Sequence, residues 1–255
     1  MCGISGIMYK RSVEEGLAPV GRDLVNMLQS MVHRGRDSSG ITVAGERNDG
    51  DLIIRVWVDD STNSSEILKR STDTITSLGG QIENSSTQGS FLRLSVRFTG
   101  EVRKLAESLL NQQGLELHSI GKSSEVIKDV GTPNSIDGRH SIAGIQGTHG
   151  IGHVRMATES RVDISHAHPF WAYPFPDVTV VHNGQLTNYH SMKRSYEDQG
   201  HRFQTQNDSE LIAVYLADKL SKGSSLNDAL KESLMDLDGT FTYIHSYLEG
   251  NLTVS

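Results

Sequence analysis

Cysteine is almost missing from this sequence: the 255 residues include one, Cys2. A single cysteine excludes an internal disulfide and suits a reducing compartment. Aromatic residues are few, with six Phe and two Trp, so the core must rest on Ile, Leu, Val and Met; an apolar fraction of 36% is ample for that. Long apolar runs are absent. Stretches such as Leu211–Ala217 are far too short to span a bilayer, and no apolar run of the signal-peptide kind opens the chain. A basic tail or stripe is also lacking. The 24 Lys and Arg against 31 Asp and Glu leave a net charge of −7, which argues against nucleic acid or an anionic membrane as a partner. There is no internal repeat and no low-complexity run. The expectation is a soluble, cytoplasmic protein of one large domain or two small ones.

What is present begins at the first residues, Met1-Cys2-Gly3-Ile4-Ser5-Gly6-Ile7. Cysteine is small enough for the initiator methionine to be removed, so the mature chain is expected to start at Cys2. One residue would then carry both a thiol and a free α-amine. An α-amine has a pKa of about 7.7–8.0 and can serve as general base to the thiolate nucleophile beside it. The competing reading makes Cys2 a buried, inert residue of a first strand.

Periodicity predicts a strand at 3–9, a helix over 20–32, and a charged, glycine-bearing turn at 33–40. Strands at 41–44 and 52–59 flank Asn48-Asp49-Gly50, a hairpin signal. A helix over 64–78 would be capped by Asn63 or Ser64. Further on come a strand at 91–98, a helix at 102–110, a strand at 115–120 and a loop at 132–140. Strands are expected at 150–157 and 177–181, helices at 189–198, 208–220 and 226–237, and a strand at 240–247 whose hairpin partner starts at Asn251. The chain stops early for that edge strand, so its C-terminus is expected to be incomplete.

Several residues carry chemistry and each has two readings. Asn183 and Gly184 could offer an amide and a backbone N–H to one point, as an oxyanion hole requires, or form a simple Asn-Gly turn. Arg155 interrupts an apolar strand and needs a carboxylate, either from a bound substrate or from an internal salt bridge. Asp208 could accept a substrate ammonium or merely cap a helix as its N-cap. His149, His153, His166, His168, His182 and His190 form a histidine-rich region. His166 and His168 have the spacing of metal ligands, but no His-Glu-x-x-His helix completes such a site.

Taken together, these pieces resemble one family in order and type: the class II glutamine amidotransferases, glutaminase domains of the N-terminal-nucleophile hydrolase superfamily. The matching runs are Met1-Cys2-Gly3-Ile4, Arg34-Gly35 with Asp37-Ser38 and Gly40, Gly152-His153-Val154-Arg155-Met156-Ala157-Thr158, Ala167-His168-Pro169, Val181-His182-Asn183-Gly184 with Asn188, and Asn207-Asp208-Ser209-Glu210. The resemblance implies an α+β fold, a four-layer αββα sandwich of two antiparallel sheets. It implies one such domain over residues 1–255, with an insertion of unassigned role at about 60–145. It also implies Cys2 as nucleophile, Asn183 and Gly184 as oxyanion donors, Arg155 with Thr158 at the glutamine α-carboxylate, and Asp208 at the α-ammonium.

The chain departs from the family where many members read Arg-Trp-Ala-Thr-His and this one reads Arg155-Met156-Ala157-Thr158-Glu159. Arg36 also replaces the proline of Arg-Gly-Pro-Asp. The Met and Glu version followed by Ser160, with Asp236-Leu237-Asp238-Gly239, resembles the stand-alone amidotransferase subunits of split glutamate synthase and N-methylglutamate synthase. Such a subunit would hydrolyse L-glutamine and pass ammonia to a synthase partner. FMN and an iron–sulfur cluster would belong to that partner, since one cysteine cannot hold a cluster; no cofactor or metal is expected in this chain. Two other readings stay open: a non-catalytic regulatory subunit of the same fold, and a metal-dependent hydrolase built on the histidines.

Overall fold

The computed structural model describes residues 2–10, 16–45, 51–59, 63–157, 161–246 and 252–254. The first sheet orders β1 (Gly3–Met8), β8 (His149–Arg155), β2 (Ser38–Ala44) and β7 (Ser124–Val130), all antiparallel. Its outer face is apolar at alternate positions. Ile41, Val43, Ile127 and Val154 pack there against Val20, Leu24 and Leu28 of α1 (Val20–Ser30) and Ile136 of α4 (Pro133–His140). A sheet with one apolar face must bury it, and the helical stripe at 20, 24 and 28 supplies the complement.

The second sheet orders β12 (Leu252–Val254), β11 (Gly239–Ser246), β10 (Thr179–Leu186) and β9 (Phe170–Trp171). Its outer face carries α5 (Tyr189–Asp198), α6 (Asp208–Ser221) and α7 (Leu226–Asp236), with Val180, Leu211, Tyr215, Leu216 and Tyr243 in the shared core. The inner faces of the two sheets meet through Ile4, Ile151, Val181 and Ile244. The result is the αββα sandwich of antiparallel sheets expected from the resemblance.

A third antiparallel sheet is added to the two expected. It orders β4 (Gln81–Gln88), β5 (Phe91–Arg97), β3 (Leu52–Val58) and β6 (Leu115–Gly121). It encloses its own core with α2 (Ser64–Ser77) and α3 (Val102–Leu110). Within residues 60–145, β4, β5, β6, α2 and α3 leave the sandwich together with β3, which lies just before that range, whereas β7 and α4 return to it. The joint is polar. The Asp177 carboxylate accepts the backbone N–H groups of Lys122, Ser123 and Ser124, at 3.1, 2.9 and 2.7 Å. Glu125 is held by Arg55 and Arg93 at 2.7 and 3.0 Å.

Three expectations are corrected. Strands 41–44 and 52–59 do not form a hairpin: β2 pairs with β7 and β8, and β3 with β5 and β6, in separate sheets. The Asn48-Asp49-Gly50 turn itself lies outside the described residues. The stretch 132–140 is helical, because Pro133 occupies the first turn, where its missing N–H costs nothing, and Ile136 is buried. Asn183-Gly184 is no turn but continues β10, paired with Thr242 and Phe241 of β11. No described helix is long and apolar enough to cross a membrane.

Candidate active site

Alternation along the strands decides what faces the gap between the two main sheets. On β8, Ile151 lies in the inter-sheet core, so His153 and Arg155 share its face. On β1, Ile4 does the same and puts Cys2 on that side, one residue beyond the Gly3↔Val154 pair. On β10, Val181 faces the gap, and so does Asn183, while His182 turns back toward α6. Passing outward from the apolar core, both sheets therefore change from isoleucine and valine to polar groups, ending in Cys2, Arg155 and Asn183.

The end carrying Cys2 is built by the charged turn that follows α1. The Arg34 Nε donates to the Cys2 carbonyl at 3.1 Å. Gly35 runs directly against the Arg155–Met156 peptide, where a Cβ would lie 2.4 Å from the Arg155 carbonyl carbon; no larger residue fits that approach. The Asp37 backbone N–H donates to the Arg155 carbonyl at 3.0 Å, and an Asp37 carboxylate oxygen accepts the Ala157 N–H at 2.7 Å. Cys2 Sγ, partly exposed, lies 3.7 Å from the Met156 carbonyl oxygen. Arg155 is 3% exposed and donates to the Arg161 carbonyl at 2.9 Å. Burial lowers its guanidinium pKa, while Cys2, Asp163 and Asp37 oppose that shift.

Across the gap, the half-buried Asn183 makes no side-chain hydrogen bond to any described residue. Gly184 holds φ at +147°, and a Cβ there would meet the Phe241 Cα at 2.4 Å, so glycine is required. Two residues on from Gly184, the Leu186 N–H donates to Asp208 Oδ2 at 3.0 Å. The N-cap of α6 is Asn207, whose side chain accepts from Ser209 N at 3.0 Å; Asp208 is the first helical residue, which frees its carboxylate from capping. Asn207 also donates to the His166 carbonyl at 3.3 Å, and the buried Glu210 carboxylate accepts the N–H groups of Gln204 and Thr205 at 2.6 and 2.7 Å. The structure thus brings Cys2, Arg155, Asn183, Gly184 and Asp208 to one end of the sandwich. Thr158 lies outside the described residues.

The histidines do not act as one set. His166 Nδ1 bonds Asp163 at 2.6 Å, whereas His168 stacks on His153 with ring centroids 4.0 Å apart. The two are thus engaged with separate partners. Among the described residues no group of three or more His, Cys, Asp or Glu is arranged to hold a metal ion.

Comparisons with known proteins give the family of the chain. A family profile described as a glutamine amidotransferase domain matches residues 153–249. A protein of Methanothermobacter thermautotrophicus named as a glutamine amidotransferase is 37% identical over 96% of this chain and 81% of its own length. The glutamine amidotransferase-like protein GlxB of Rhizobium meliloti is 34% identical over 96% of this chain and 78% of its own length. The chain belongs to the class II glutamine amidotransferases. The fold of this amidotransferase is also that of a solved allosteric regulatory enzyme of purine biosynthesis, with a TM-score of 0.53 at 19% identity over 91% of this chain. It spans 33% of that enzyme's length.

Arg34, Asp37 and Glu210 of this amidotransferase lie within the sequence motifs, but the residues alone assign them no task. The partners of Arg34 and Asp37 are backbone groups distant in the chain, which no local pattern announces, whereas Glu210 holds the loop just before its own helix through Gln204 and Thr205. The spacing of Arg34-Gly35 and Asp37 was the one available signal.

Proposed function

We propose that this amidotransferase hydrolyses L-glutamine through a cysteinyl thioester. The thiolate of Cys2 attacks the side-chain amide carbon, with its own α-amine accepting the thiol proton once Met1 is removed. Charge developing on the amide oxygen is met by the Asn183 amide and the Gly184 N–H. Collapse of the tetrahedral adduct breaks the C–N bond, the departing nitrogen takes the proton, and ammonia leaves. Water then cleaves the γ-glutamyl thioester, giving L-glutamate and restoring the thiol. Arg155 and Thr158 would hold the glutamine α-carboxylate in charge-assisted contacts, and Asp208 its α-ammonium.

The observation that carries this reading is the convergence of the nucleophile, a buried cation, an amide that bonds no described residue and a helix-start carboxylate at one end of two facing sheets. A free amino acid with one charged group of each sign fits those complements. Ammonia is of little use alone, so we place this chain in a complex that delivers it to a synthase subunit of glutamate-synthase type, whose FMN and iron–sulfur cluster would lie in that partner. The test is to co-purify the chain from its host and measure glutamate and ammonia release from glutamine with and without the partner. Release stimulated by the partner supports the reading. No release under either condition supports a regulatory subunit instead.

A further inference from the structure

The buried histidine between the two sheets has a task that the residues above leave open. His153 is 0% exposed in the middle of the first sheet, paired to Ile4 on one side and Gly40 on the other. Its Nε2 lies 3.0 Å from the backbone carbonyl oxygen of His182 on the opposite sheet. A carbonyl can only accept, so Nε2 carries the proton and Nδ1 does not. Burial pushes the imidazole pKa down to about 3, so the ring is neutral and keeps this tautomer over the working range of the protein. Its Nδ1 has no hydrogen-bond partner among the described residues. Among the described residues, the one hydrogen bond of this side chain is thus the bridge to His182.

The place of that bridge matters. Among the described residues, β9 pairs with β10 only at Thr179 and Val180, and no described strand runs beside that edge of β10 at residue 182. The peptide after His182 leads directly into Asn183 and then Gly184. The His153 ring is itself clamped by His168, stacked at 4.0 Å with 19° between the planes, and His168 meets Phe170 edge-on at 4.9 Å. A rigid ring on the sheet that carries Cys2 therefore grips the backbone that carries the oxyanion donors.

We infer that His153 is a positioning residue: by donating from Nε2 to the His182 carbonyl, it fixes the peptide leading into Asn183, and so sets the height and direction of the Asn183 and Gly184 donors relative to Cys2. The inference rests on the glutaminase reading and deepens it. Misplacing such donors by about an ångström is enough to cost roughly a hundredfold in rate, while glutamine binding through Arg155 and Asp208 is untouched.

The test is a double-mutant cycle on the full chain with its partner, using His153→Phe, Asn183→Ala and the double variant, each also scored for melting temperature. His153→Phe keeps a ring against His168 but removes the donor. It should lower kcat by about a hundredfold with KM nearly unchanged, and cost clearly less in the Asn183→Ala background, where only the Gly184 donor is left to misplace. His153→Gln, which keeps an N–H near the Nε2 position, should recover most of the turnover. Equal losses from His153→Phe in both backgrounds, or a Gln variant as slow as Phe, would overturn the inference. Alkylation of Cys2 by a glutamine-shaped diazoketone separates the two levels. A wild-type chain that does not react overturns the glutaminase reading and the inference with it. A wild-type chain that reacts, beside a His153→Phe variant reacting as fast, overturns the inference alone.

Discussion

The Arg34 side chain donates to the Cys2 carbonyl oxygen at 3.1 Å, so the residue that carries the thiol is anchored on its carboxyl side by a turn more than thirty positions away. What lies on its amino side is then decided by processing. The mature chain is expected to start at Cys2, because the proton acceptor in the proposed reaction is that residue's own α-amine. Intact mass should show the loss of one methionine. A fully active chain that keeps Met1, or carries an acetyl group on Cys2, would remove the amine from the scheme.

Substrate anchoring can be separated from folding at Asp208. Asp208→Ala removes the acceptor of the Leu186 N–H as well as the charge, so it should lower stability too. Asp208→Asn keeps an oxygen for Leu186 and loses only the charge. It and Arg155→Ala should each weaken glutamine binding by about ten- to a hundredfold, the equivalent of a charge-assisted contact of about 1.5–3 kcal/mol. Calorimetric titration with glutamine checks this, and unchanged affinity in both variants would make the two residues structural.

At the oxyanion donors, Asn183→Ala should reduce kcat by about a hundred- to a thousandfold with little change in KM. Its melting temperature should stay close to wild type, since the Asn183 side chain bonds no described residue. Gly184→Ala should behave differently: at φ +147° and 2.4 Å from the Phe241 Cα, the added methyl group forces β10 from β11 and lowers stability. An Asn183→Ala variant that melts early but turns over at the wild-type rate would refute the assignment.

The buried histidines set a pH dependence of stability whose sign is fixed. Burial holds the folded pKa of His153 at about 3 and of His245 at about 4, against about 6.5 in the unfolded chain. Below about pH 6.5 the unfolded state therefore takes up protons that the folded state refuses, and stability falls as pH falls. Each histidine inside that window contributes a slope of about 1.4 kcal/mol per pH unit. Urea unfolding between about pH 7.5 and 5, above the range where carboxylates titrate, should show the decline, and His153→Gln should make it shallower by about one proton. A flat profile would mean that these rings are not held neutral.

How much of this was legible depended on whether a partner is local. The helices Val102–Leu110 and Tyr189–Asp198 end where their amphipathic pattern does, because a helix closes its own hydrogen bonds. Strand pairing is not local: the apolar runs of β2 and β3 say that both are buried but not that each belongs to a different sheet. Gln81–Gln88 shows no apolar alternation, since β4 is an exposed edge strand. Ser124–Val130 shows none for the opposite reason, as Glu125, Lys128 and Asp129 are buried with their neighbours. The site was legible as a set of motifs in order, from Cys2 to Asp208. The grip of Asp37 on Ala157 and of His153 on His182 was not, because it exists only once two sheets face each other.

The most direct test of the glutaminase account is a comparison of wild-type chain with Cys2→Ala, each co-assembled with its partner and matched for melting temperature, by measuring glutamate and ammonia formed from L-glutamine. The expected result is equal amounts of both products from the wild type and none above background from Cys2→Ala. Wild-type turnover by the Cys2→Ala variant would contradict the thioester route and the role of Cys2 with it.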